Sequence, residues 1–149
     1  MFFLLVFTLQ VEAQIACPFA VPQESDVHSA WDTPPLLLLR TTADTEHPDP
    51  QHRSNTALLG FIYKNMQYPA LQYHHWLDGL MVVTFIIDAA GWVDPASVRC
   101  VRTPHAAMGQ EAERVIKLMT ALQIQWQPAT VNGRAVPVRY NVPIRLHFN

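Results

Sequence analysis

Seven histidines among 149 residues invite a metal or acid–base reading, because imidazole ligates zinc and titrates near neutral pH. Their spacing argues against it. His74 and His75 are adjacent, which sends their side chains to opposite sides of the backbone, and His28, His47 and His52 fall in a proline-rich stretch. No Cys-x-x-Cys, His-x-x-x-His or His-Glu-x-x-His occurs. Ser25, Ser29, Ser54 and Ser97 include no Gly-x-Ser-x-Gly nucleophile. Cys100 and His105 are the only Cys/His neighbours, and no third group in the sequence orients the pair, so a packed cysteine is the simpler reading. Asp88 and Asp94 flank a turn, where aspartate serves turn chemistry. Trp76, Trp92 and Trp126 read as core or rim packing rather than as a ligand cleft. The expectation from these residues is a protein without catalytic residues or a metal site.

The chemistry that remains belongs to the backbone. Over residues 136–148 every even position is apolar (Val136, Val138, Tyr140, Val142, Ile144, Leu146, Phe148) and every odd one is polar, charged or proline (Pro137, Arg139, Asn141, Pro143, Arg145, His147). Such alternation marks one strand with a buried and a wet face. In an antiparallel ladder, residues of one parity aim their N–H and C=O at one neighbour and the other parity aims at the opposite side. Pro137 and Pro143 share a parity, so both missing donors fall on one side, which an edge strand tolerates and a central one does not. An open edge either aggregates or docks another strand.

The elements that must position this strand follow from periodicity. Ser54 or Asn55 is expected to cap a helix running to about Met66, with Leu58, Leu59, Ile62 and Met66 on one face. Residues 79–88 are apolar on both faces, as in the interior of a sheet. Ala89-Ala90-Gly91 turns the chain into a strand over 92–102, bulged near Pro95. A second helix is expected from Gln110 to about Gln123, with Ala112, Val115, Ile116, Met119 and Leu122 inward. Asn132-Gly133 is a strong turn signal before the last strand. The order helix, strand, strand, helix, strand predicts an α+β domain of two layers, two helices on one face of a small antiparallel sheet, with Phe85, Ile116 and Ile144 in its core.

Charge divides the chain. Residues 1–50 hold seven acids and one base, and residues 51–149 hold nine bases and five acids. No basic cluster supports nucleic-acid binding. Residues 1–13 read as a signal peptide, with an apolar run far short of the roughly 20 residues that span a bilayer and Val11-Glu12-Ala13 as cleavage signal. No Lys or Arg precedes that run. A misassigned start, with inner-membrane anchoring, and a lipoprotein modified at Cys17 are the alternatives to simple export. Residues 14–53 hold six of the twelve prolines and no glycine, as a linker or docked arm would, and the four leucines 36–39 are expected to dock as a short extra strand. The folded domain is assigned to 54–149. In an oxidising compartment Cys17 and Cys100 could pair, or Cys100 could simply be a small buried side chain.

The run Tyr68-Pro69, Gly79-x-Met81-x-Val83-x-Phe85-x-Ile87-Asp88 and Gly91-x-Val93 resembles the C-terminal domain of TonB, the energy transducer of Gram-negative envelopes, in its Bacteroidetes-type form. So do Glu111-Ala112 through Lys117-Leu118-Met119, Trp126-x-Pro128 and, most specifically, Asn132-Gly133-x-x-Val136-x-Val138-x-Tyr140-x-x-Pro143-Ile144-x-Leu146-x-Phe148. The match runs over residues 55–148. The resemblance implies a TonB/TolA C-terminal-like fold in the periplasm, no enzyme activity and no cofactor. It implies binding of the TonB-box peptide of outer-membrane transporters by strand addition, with Arg139, Tyr140, Asn141, Arg145 and His147 meeting the partner. Inner-membrane motor proteins would be further partners if an anchor exists, and a homodimer is a further option. The family's transmembrane helix and long charged Pro-rich spacer have no counterpart in the sequence, so the fold and peptide surface carry over more directly than energy transduction. A periplasmic interaction or scaffold domain is the alternative.

Overall fold

The computed structural model describes residues 26–39, 47–68 and 79–146. The segment 1–13 read as a signal peptide, Cys17, His74, His75, Trp76, His147 and Phe148 lie outside these residues.

Among the described residues nine elements follow one another: β1 (Leu36–Leu37), α1 (Pro50–Asn65), β2 (Gly79–Ile87), β3 (Val93–Arg102), α2 (Ala106–Ala121), β4 (Trp126–Gln127), β5 (Ala129–Val131), β6 (Arg134–Val136) and β7 (Val138–Leu146). The fold is α+β, with two helices and small antiparallel sheets. The main sheet has the order β3-β2-β7, so β2, apolar on both faces, is central and β7 lies at an edge. β5 and β6 form a hairpin, and β1 pairs with β4.

Both helices start earlier than their apolar stripes suggest. Asp49 caps α1, its carboxylate accepting from the Gln51 N–H at 2.9 Å, and Pro50 takes the first helical position, where a missing N–H costs nothing. Residues 50–53, assigned to the linker above, are therefore helix. Ser54 is no cap but a buried hydroxyl that accepts from the Leu37 N–H at 2.8 Å. At α2 the cap is His105, whose Nδ1 accepts from the Ala107 N–H at 3.2 Å. Leu122, expected inward, caps the C-terminal end of α2 and is 55% exposed.

The turn between β2 and β3 is held by Asp88, whose carboxylate accepts from the N–H groups of Ala90 and Trp92. The bulge falls at Pro95. There the Ile86 N–H finds no ladder carbonyl and donates instead to Ser97 Oγ at 2.8 Å. Asn132 and Gly133, at φ 50° and 75°, make the tight turn of the β5–β6 hairpin. Pro137 then breaks the single C-terminal strand expected above into β6 and β7.

One core collects the inward residues of every element. Met81, Val83, Phe85 and Ile87 of β2, Val138, Val142, Ile144 and Leu146 of β7, Leu58 and Ile62 of α1, and Val115, Ile116 and Met119 of α2 are all buried in it. Phe85, Ile116 and Ile144 are fully buried, as expected. Trp126 and Tyr140 complete an aromatic cluster with Phe85, with ring centroids 5.3 to 6.0 Å apart.

Candidate functional site

The even residues of β7 are buried and the odd ones face out: Asn141, Pro143 and Arg145 are exposed, and Arg139 is half-buried. The same parity decides where the backbone groups go. The Arg139 N–H donates to the His28 carbonyl at 3.1 Å, and the Pro137 carbonyl accepts from the His28 N–H at 2.9 Å. The Arg145 carbonyl accepts from the Tyr63 hydroxyl at 2.9 Å. These partners lie on the side away from β2, so Pro137, Arg139, Asn141, Pro143 and Arg145 all turn their backbone groups outward. The prolines occupy two places where an outer neighbour would otherwise find a donor, as the shared parity requires.

The edge is not wholly open, which corrects the simplest reading of the sequence. His28 sits beside Val138 in a parallel bridge and takes the Arg139 N–H. The arm then leaves β7. Trp31 stacks on Tyr140 at 6.4 Å, the Asp32 N–H donates to the Thr130 carbonyl, Thr33 bridges Thr130, and Leu36–Leu37 pairs with β4. The extra strand expected of the leucine run is this last pairing. At the other end of β7, Tyr63 covers Arg145. Between these two contacts the N–H and C=O of Asn141 carry no hydrogen bond among the described residues.

Beside Asn141 lies a cleft of about 150 Å³ between α1 and β7, lined by Asn55, Leu58, Leu59, Tyr140, Val142 and Pro143. Leucine side chains form its apolar wall. Its polar end is the Tyr140 hydroxyl, which donates to Asn55 Oδ1 at 3.0 Å and accepts from Gln51 Nε2 at 3.3 Å. Burial raises the Tyr140 phenol above its ordinary value, with the Gln51 hydrogen bond acting weakly the other way. Tyr140, expected to meet a partner directly, is 9% exposed, and its ring belongs to the core. It can present only the rim of this cleft.

The outer face of the sheet is cationic. Arg139 and Arg145 of β7 pair across with Ile86 and Leu80 of β2, and Arg99 and Arg102 of β3 pair with Thr84 and Val82, so the four arginines share one face. Arg99 and Arg102 escaped the sequence reading because the bulge at Pro95 scrambles the alternation in β3. Gln51, Asn55 and Tyr63 escaped it because helix periodicity draws the eye to the apolar stripe and not to its borders.

No protein-family model, curated protein or solved structure matches this chain. What the site can do rests on its geometry. Among the described residues no group of His, Cys, Asp and Glu is placed to hold a metal ion, and no helix is long and apolar enough to cross a membrane. Cys100 carries a free thiol; burial raises its pKa, and its Sγ lies 3.1 Å from the Arg102 carbonyl. A protonated thiol without a base is a poor nucleophile.

Proposed function

We propose that this domain docks an extended peptide along the outer edge of β7, and that the peptide is the TonB box of an outer-membrane transporter, bound in the periplasm in the service of energy-dependent transport. The observation that carries the reading is the edge itself. Two prolines of one parity bracket a stretch whose Asn141 N–H and C=O lack a partner among the described residues, and a cleft with apolar walls opens beside it. Strand addition draws affinity from backbone pairing and selectivity from pockets for alternate side chains, and both parts are present here. The Pro brackets also limit how far another sheet could zip onto this edge. Arg139 and Arg145 on the outer face favour peptides with acidic residues and add little for neutral ones. The α+β architecture with β7 at the edge agrees with the TonB C-terminal-like fold that the sequence resembles.

The test is a titration of labelled TonB-box peptide into the protein, followed by backbone amide shifts. The reading expects the largest shifts at residues 139–145 and in the helical turn that carries Asn55 and Leu59. Binding that moves only α2 and β3 would place the site elsewhere. Absence of binding would leave the scaffold reading in its place.

A further inference from the structure

We propose that residues 26–31 are a resident strand that occupies the first register of the β7 edge and must peel away before a partner strand can use its full length. The inference rests on the docking role proposed above and concerns its regulation. A strand running parallel to β7 between the two prolines would meet the Pro137 C=O, the Arg139 N–H and C=O, and then the Asn141 N–H and C=O, in that order. Past Asn141 the ladder stops, because Pro143 has no donor. His28 already holds the first two of these groups, in parallel orientation. If the arm continued in register, Ala30 would lie beside Tyr140 and Asp32 beside Val142. Instead the Asp32 N–H turns to the Thr130 carbonyl, and the Asp32 carboxylate accepts from the Asn132 N–H at 2.6 Å. The chain's own segment thus fills the start of the ladder, and at its end the Asn141 N–H and C=O have no partner among the described residues.

The two halves of the arm are held differently. Beyond Asp32 the attachment is dense: Thr33 exchanges hydrogen bonds with Thr130, Leu37 is tied to Ser54, the Leu38 N–H donates to the Gln125 carbonyl, and Pro35 and Leu37 are buried. Before it, His28, Ser29 and Ala30 are exposed, and among the described residues the hold is the His28 pair of hydrogen bonds, the half-buried Val27, and the half-buried Trp31 packed on the core beside Tyr140. Hydrogen bonds of this kind replace bonds to water and add little net stability each. On this proposal the exposed part of the arm, His28 to Ala30, opens without the firmly held part beyond Asp32. The incoming strand competes with it for the Arg139 N–H, and its apparent affinity falls in proportion to the fraction of molecules whose edge is free.

The experiment uses the full chain, its His28→Pro variant, which removes the donor to Pro137, and a second variant in which residues 26–30 are replaced by glycine and serine at unchanged length. Hydrogen exchange at the Arg139 amide reads the arm directly: protection in the unmodified chain and faster exchange in both variants are expected. Titration with labelled TonB-box peptide reads the competition, and about tenfold tighter binding to the variants is expected. An Arg139 amide that exchanges alike in all three forms overturns the inference, and so does an equal Kd, which leaves the docking role standing. Failure of the peptide to bind any of the three removes the docking role and this inference with it.

Discussion

Gly91 lies so close to Trp126 that a β-carbon on it would fall 1.9 Å from the Trp126 carbonyl oxygen. The approach is cemented by the Trp126 N–H, which donates to the Gly91 carbonyl at 2.8 Å. Gly91 also sits at φ 86°, a conformation that side chains resist. Gly91→Ala should therefore destabilise the fold by more than about 1 kcal/mol from backbone strain alone, with the displaced Trp126 adding to the loss. A urea melt of the variant with an unchanged midpoint would contradict this.

Phe85 and Leu122 make a contrasting pair. Phe85 is fully buried among Trp126 and Tyr140, and Phe85→Ala should cost about 3–5 kcal/mol. Leu122, 55% exposed, should tolerate alanine within about 0.5 kcal/mol. The two midpoints measured side by side check the assignment of inside and outside.

Ser54→Ala should loosen the arm without touching the sheet. The buried Leu37 N–H loses its acceptor, at a cost of about 1–3 kcal/mol. Faster amide exchange at Leu37 and Leu38, with β2 and β7 unchanged, is the expected pattern.

Glu111 joins the two helices: its carboxylate binds Arg114 one turn on and accepts from the Gln67 N–H, while the Arg114 guanidinium donates to the Asn65 carbonyl at the end of α1. The Arg114 hydrogen bond holds the Glu111 carboxyl below its ordinary value of 4.5, against a smaller opposing effect of burial. A lowered folded pKa contributes stability that is complete above the unfolded value and is lost as pH falls through the folded one. Stability should therefore drop below about pH 4.5, and Glu111→Gln should flatten that part of the profile. Melts between pH 3 and 7 would show it.

Asn141→Pro should abolish peptide binding and leave the fold intact, because the lost N–H points away from β2 and Pro143 already tolerates the same orientation. Arg139→Glu should weaken binding of an acidic peptide and reverse its salt dependence. Titrations at two salt concentrations, with circular dichroism as the folding control, separate these outcomes.

Local pattern carried much of this structure. The alternation of residues 138–146, the two-sided apolar β2 and the Asn132-Gly133 turn each depend on neighbours a few positions away, and all were readable. The pairing of Pro137 with Pro143 revealed the edge, because a missing donor constrains the backbone wherever the strand goes. The helix starts were misplaced because Asp49-Pro50 and Thr103-Pro104-His105 look like loop and act as caps. That the leucine run docks was readable, but where the arm lies before it was not. Nothing in the types of His28 or Trp31 encodes that Val138 and Tyr140 are their neighbours; that is fixed only when the sheet exists.

That last dependence sets an order of events during synthesis. The arm's partners on β5 and β7 lie far downstream, with Asp32 and Asn132 100 residues apart. At about 5–20 residues per second, a nascent chain extends for roughly 5–20 s after Asp32 is made before Asn132 exists to receive it. The arm is built long before the strands it docks on.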